Sequence, residues 1–141
     1  MELRIVADAL KRHHPFQMIT LFGISNCDTV KRARAWLAQE GVAYRFHDFK
    51  KDGVPEVLLD QWLDDPGWEA LVNRRGTTWR RLDDAARTAV IDTASAKAVL
   101  LASPSLIKRP VVAWEDKGST TTVGFDAGQW QHKVATVGNT K

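Results

Sequence analysis

One cysteine, Cys27, is all that the 141 residues contain, and a lone thiol excludes any internal disulfide. Nothing therefore points to an oxidising compartment. No apolar run approaches the roughly 20 residues that a membrane-spanning helix needs, and the first residues lack the charged, apolar and small-residue zones of a secretory signal. Cytoplasm is the expected compartment. Histidine is scarce too, with four in all. His13 and His14 are adjacent, His47 and His132 are isolated, and none has ligand spacing with the cysteine or a carboxylate, so no metal is expected. Gly23 has no phosphate-cradling glycine pattern around it. Neither sign of charge dominates, the net charge being +3. The basic residues fall in short clusters, "KRARAW", "NRRGTTWRR" and "IKRP", rather than in the continuous stripe that nucleic acid rewards. They suit small anionic ligands better, and no direct nucleic-acid contact is expected. Repeats and low-complexity tracts are absent as well.

What is present is the composition of one globular domain, 44% hydrophobic and 26% charged, long enough for a real core. Residues 1–17, "MELRIVADALKRHHPFQ", carry one weak apolar period and then Lys11, Arg12, His13, His14 and Pro15. They read as a dispensable extension ahead of a domain over 18–141, with Met18 a candidate start. "MITLF" is a buried strand, rich in β-branched and aromatic types. Val30, Ala33 and Leu37 share a helical face, and Gly41 stands where a C-cap glycine belongs. "VAYRFHDF" is a second strand and "KKDGVP" a turn. Helices follow over 55–65 and 67–73, broken at Pro66-Gly67. "GTTWRRLDDAARTAV" reads as more helix, with Asp83 or Asp84 as N-cap, and "DTASAKAVLLASP" as another. "RPVVAWEDKGSTTTVGF" is a hairpin turning at "EDKG", and "DAGQWQHKV" a closing helix. The order is β-α-β, a helical insertion over about 54–92, then β-β-α. A mixed four-stranded sheet with flanking helices satisfies it, an α/β arrangement with the element order of a thioredoxin-like fold. The six tryptophans fall on different elements at core-compatible positions and read as packing rather than as base-stacking platforms.

Cys27 falls where the first strand gives way to a helix, in "LFGISNCDTVKRARAWL". A thiol attacks as thiolate, and with an ordinary pKa of about 8.5 only a few per cent is ionised at neutral pH. A helix N-terminus presents unpaired N–H groups and the positive end of a dipole, which favour an anion. Lys31 and Arg34, four and seven residues on, fall one and two turns along the same face. Lys31 and Arg32 oppose the dipole at this end, so helix stability does not select them; an anion held there explains them. Asp28 pulls the other way unless its carboxylate caps N–H groups. Position alone leaves two readings open, a reactive thiol and an inert core cysteine.

"GISNCDTVKRARAWL", "RGTTWR" at Arg75–Arg80 and "PSLIKRP" at Pro104–Pro110, in this order and spacing, resemble the ArsC family. That family includes arsenate reductases and Spx-type regulators, and the likeness is greatest to its YffB-like subgroup; it runs from Met18 to about Lys133. The resemblance implies a thioredoxin-like fold with a helical insertion and a reactive Cys27 in the first strand-to-helix loop. It further implies that Arg109 precedes a cis-proline, Pro110, beside the thiol. Asn26, Lys31 and an insert arginine, Arg75 with Arg74 adjoining, would complete an anion site. The sequence departs from two branches of the family. Val30 occupies the second position of the C-x-x-C switch of Spx-type regulators. "CDTV" replaces the "CGTS" of arsenate reductases, and "GSTTTVGF" supplies no third arginine. The remaining branch implies a glutathione-dependent thiol–disulfide oxidoreductase with no bound cofactor, glutathione as co-substrate, and a protein or small-molecule disulfide as the other partner. The alternatives are a non-catalytic Spx-like regulator contacting RNA polymerase, and an arsenate reductase lacking the third arginine.

Overall fold

A computed structural model describes residues 4–5, 19–115 and 120–138. They divide into two compact units, Met1–Asp52 with Arg109–Lys141, and Gly53–Lys108.

The first unit is a sheet with its helices: β1 (Arg4–Ile5), β2 (Ile19–Gly23), α1 (Asp28–Gln39), β3 (Tyr44–Asp48), α2 (Phe49–Asp52), β4 (Val111–Ala113), β5 (Thr121–Val123) and α8 (Ala127–Gly138). The strand order is β1-β3-β2-β4-β5. β2 runs parallel to β3 in a register from Ile19 opposite Tyr44 to Gly23 opposite Asp48. β4 is antiparallel to β2, and β5 to β4. The expected mixed four-stranded sheet is thus β3-β2-β4-β5. The pair Arg4–Ile5 adds an edge strand, antiparallel to β3. The rest of the 1–17 segment and residues 116–119 of the hairpin turn lie outside the described residues.

Strand alternation places Ile19, Leu21, Tyr44, Phe46, Val112 and Trp114 together in the core, where Val30, Ala33 and Leu37 of α1 and Trp130 of α8 complete the cluster. Trp130 meets Trp114, Phe125 and Trp36 edge-on, with centroids 5.0, 4.8 and 5.9 Å apart, the geometry that aromatic quadrupoles favour. α1 ends as its sequence predicts: Gly41 has φ 70°, its N–H donates to the Ala38 carbonyl and that of Val42 to the Leu37 carbonyl. The expected turn "KKDGVP" begins instead with one helical turn, α2, and only residues 53–55 are irregular. Phe49 is buried in α2, and the Asp48 carboxylate accepts the Lys50 N–H at 2.8 Å, which starts a helix where the composition reads as loop.

The second unit is helical: α3 (Glu56–Trp62), a π-type turn Leu63–Gly67, α4 (Trp68–Leu71), α5 (Thr77–Arg81), α6 (Asp84–Thr88), α7 (Thr93–Ala102) and a 3-10 turn Pro104–Leu106. The break expected at Pro66-Gly67 is there, with Asp65 turned out of helical geometry (φ −152°, ψ 114°) ahead of the proline. The helix read over 76–90 is two, because Leu82 is extended and Asp83 caps α6 by accepting the Ala86 N–H at 2.7 Å. Lys97 of α7 pairs with Glu56 and Asp60 of α3 at 2.8 and 2.9 Å. The Lys108 N–H donates to Leu71 and the Asn73 N–H to Leu106, both at 2.8 Å. These bonds join α7 and "PSLIK" to the helices before them, and the unit runs to Lys108, beyond the insertion boundary near 92. Trp62 is buried in it, whereas Trp68 and Trp79 are half-buried and hold the Arg74 guanidinium 5.6 and 5.8 Å from their ring centres. Among the described residues no helix is long and apolar enough to cross a membrane.

Candidate functional site

The chain leaves β2 at Gly23, where a Cβ would lie 2.8 Å from Val30 Cγ2; glycine is what lets α1 close on the strand end. The Cys27 N–H then donates to the Ile24 carbonyl at 3.1 Å, closing a turn with Ser25 and Asn26 at its centre. The Cys27 carbonyl accepts the Lys31 N–H at 2.9 Å, so Cys27 is the N-cap of α1, in extended backbone (φ −93°, ψ 126°). No side-chain hydrogen bond caps this helix. A neutral thiol is a weak acceptor, and the open N–H groups of Thr29 and Val30 face its sulfur, ready for the charged form.

Arg109 supplies the cation. Burial raises the Cys27 pKa, and it is outweighed by the Val30 N–H, the hydrogen bond and charge of the Arg109 guanidinium, and the Thr29 N–H, so the thiol is held below its ordinary value. Arg109 stands two residues before β4 and is joined to Pro110 by a cis bond. Pro110 is buried, and its carbonyl accepts the Gly124 N–H at 2.9 Å, which fixes the arginine-bearing loop to the strand pair.

The other expected residues are placed differently. Lys31 is exposed and is not among the groups that lower the thiol. Arg34, expected above the sulfur, is turned to β3: its Nε–H donates to the Tyr44 hydroxyl at 3.0 Å, and its guanidinium lies 4.0 Å from the Phe46 ring centre. An aromatic face offers a cation partial desolvation at little cost, which an open helix end does not. Asp28 and Asn26 are exposed. In the other unit, Arg74 is engaged by its two tryptophans, while Arg75 is exposed with its backbone N–H on Asn73 Oδ1 at 3.1 Å. Of the adjacent pair, Arg75 is thus the one without a ring partner among the described residues. No three His, Cys, Asp or Glu side chains gather as a metal site among the described residues.

Sequence reasoning overlooked Asp48. It closes β3, is 4% exposed, and accepts from the Ser25 N–H at 3.3 Å and from the Lys50 N–H. Burial raises its pKa, but the Lys50 N–H, the Ser25 hydroxyl and the N–H groups of Lys51 and Ser25 lower it by more, so the carboxyl is held below its usual range. The signal was available: a carboxylate ending an apolar strand directly before a helical turn is an N-cap pattern.

A family model described as ArsC family matches residues 22–132. Among solved structures the chain is similar to the YffB protein, at 42% identity over 85% of this chain and 99% of that one, with a TM-score of 0.74. It is also similar to an arsenate reductase (ArsC) related protein from Brucella melitensis, at 43% identity over 82% of this chain and 92% of that one, TM-score 0.64. The global transcriptional regulator Spx of Streptococcus agalactiae is 30% identical over 97 residues, covering 67% of this chain and 69% of the regulator.

Proposed function

The chain belongs to the ArsC family, and on that footing we propose that it is a glutathione-dependent thiol–disulfide oxidoreductase whose nucleophile is Cys27. The observation that carries this reading is the Arg109 guanidinium hydrogen-bonded to the Cys27 sulfur at an uncapped helix start. The cytoplasm, where glutathione is abundant and reduced, is the compartment that suits it.

With no second cysteine in the chain, an external thiol must complete the cycle. The Cys27 thiolate attacks the glutathione sulfur of a mixed disulfide. The old S–S bond breaks, the substrate leaves as thiolate and takes a proton from water, and glutathione is bonded to Cys27. A second glutathione thiolate attacks that bond, restores the Cys27 thiolate and leaves as glutathione disulfide. The electron pair delivered to the substrate comes from glutathione, and the enzyme ends unchanged. Arg109 stabilises the attacking and the departing thiolate. Lys31, Asn26 and Arg75 are the groups proposed to receive the two glutathione carboxylates, with Pro110 setting the backbone beside the peptide.

The test is reduction of a glutathionylated peptide at the expense of glutathione, by the protein and by Cys27→Ser. Turnover that vanishes in the variant is expected. No turnover by the unaltered protein, with Cys27 titrating at the ordinary thiol value, sinks the reading. The likeness to Spx supports a second reading, a non-catalytic regulator that contacts RNA polymerase, with Cys27 either a vestige or a sensor that becomes glutathionylated. Retention on purified polymerase without peptide reduction selects it. Arsenate reduction would use the same nucleophile with two arginines instead of three, and is the weakest of the three.

A further inference from the structure

Asp48 is built for more than starting a four-residue helix. Its Oδ1 accepts the Lys50 N–H at 2.8 Å and its Oδ2 the Ser25 N–H at 3.3 Å, and the Ser25 hydroxyl and Lys51 N–H add to the polar surroundings that favour its charged form. Its own N–H donates to Asp52 Oδ2 at 3.3 Å. Both carboxylate oxygens thus accept backbone N–H groups, and the group is held in its ionised form. Yet α2 has a single turn, and a buried charge is a costly way to cap so short a helix. Asp92 caps the ten residues of α7 from an exposed position. What burial achieves at Asp48 is reach across the sheet. It stands opposite Gly23 in the β2–β3 register, and one of its two hydrogen-bond donors is the N–H of Ser25, in the turn that Cys27 closes on Ile24. That turn sets the direction in which the chain enters α1, and so where the Cys27 sulfur stands against the Thr29 and Val30 N–H groups and Arg109.

We propose that Asp48 is the positioning residue of the reactive thiol, its buried carboxylate holding Ser25 so that Cys27 meets the α1 N-terminus and Arg109. The inference rests on Cys27 being the reacting group. Arg109 is the cation on the sulfur, Asp28 and Lys31 are exposed on α1, and Asp48 acts through the backbone rather than through its charge. The sign of the effect separates the two. Loss of a nearby negative charge by itself makes a thiol more acidic; loss of position makes this one less acidic.

The experiment is the pH profile of iodoacetamide alkylation of Cys27 in the full chain, for the unaltered protein, Asp48→Asn, Asp48→Ser, Ser25→Ala and, as a control for a lost cap, Asp92→Ala. In Asp48→Asn the profile is expected to move to higher pH, with alkylation at pH 7 slowed several-fold. Ser25→Ala, which keeps the backbone N–H, should shift it less in the same direction. Asp92→Ala should lower Tm and leave the profile in place. An Asp48→Asn profile that is unchanged or moved to lower pH overturns the proposal, whatever happens to Tm. Should that variant fail to fold, Asp48→Ser decides: its short side chain can still cap α2 but does not reach Ser25, and an unmoved profile overturns the proposal. Alkylation needs neither glutathione nor a disulfide, so a shifted profile in a protein that reduces no glutathionylated peptide removes the reductase reading and leaves the positioning role standing.

Discussion

The starts of α1 and α7 solve the same problem in opposite ways. Every α-helix begins with four N–H groups that lack an intrahelical partner. At α7, Asp92 accepts the Ser95 N–H at 2.9 Å while the Ser95 hydroxyl returns to the Asp92 backbone, a reciprocal capping box. The donors are used up within the helix, with Asp92 exposed and Ser95 half-buried. At α1 the cap position is held by a thiol that makes no such bond while neutral. Its donors stay available, half-buried and beside a guanidinium, and reward the thiol for losing its proton. A helix start kept short of its best cap is the local signature of a site, because the binding energy is reserved for a charge that comes and goes.

Three substitutions sharpen or break this contrast, in decreasing order of effect. Arg109→Met removes the cation and leaves the burial of the sulfur unopposed by it. Alkylation of Cys27 at pH 7 is expected to slow several-fold, and an unchanged rate would mean that the helix end alone sustains the thiolate. Asp92→Ala opens the α7 start and is expected to lower Tm by a few degrees while Cys27 titrates as before; any change in the thiol would break the independence of the two helix starts. Cys27→Ser gives α1 an oxygen cap, and its effect on stability should depend on pH. The folded thiol has a lowered pKa, so its thiolate adds stability above the unfolded value of about 8.5, and this is lost as pH falls through the folded pKa. The serine variant should therefore be the more stable protein in acid, by a fraction of the about 1 kcal/mol that an oxygen cap is worth. That advantage should shrink or reverse as pH rises through the thiol window. Urea midpoints at several pH values check it, and a pH-independent difference would mean that the folded thiol is not acidified.

The elements carried by periodicity were legible: β2, α1 with its Gly41 stop, α7 and the final hairpin fall where alternation and capping residues place them. So was Cys27, since a strand-to-helix junction is visible in the apolar pattern. Arg109 was legible only through resemblance, because 82 positions separate it from Cys27 and no local rule links them. Arg34 was misread for a related reason. Helical spacing gave the face it stands on, but its partner was decided by Tyr44 and Phe46 of a neighbouring strand. The adjacent arginines 74 and 75 are alike in sequence and were told apart by Trp68 and Trp79, six residues before and five after Arg74.

By itself, then, the sequence determined the periodic elements, the lone cysteine that can form no internal disulfide, and the helix start at which it stands. Each of these is a matter of residue type and spacing along a few turns of chain. The tertiary structure alone decided which cation meets the sulfur, which arginine is diverted to an aromatic face, and that a carboxylate at the end of β3 holds the loop before Cys27. Those outcomes depend on strand register and burial, which bring distant positions within hydrogen-bonding reach and remove the water that would otherwise weaken their interaction.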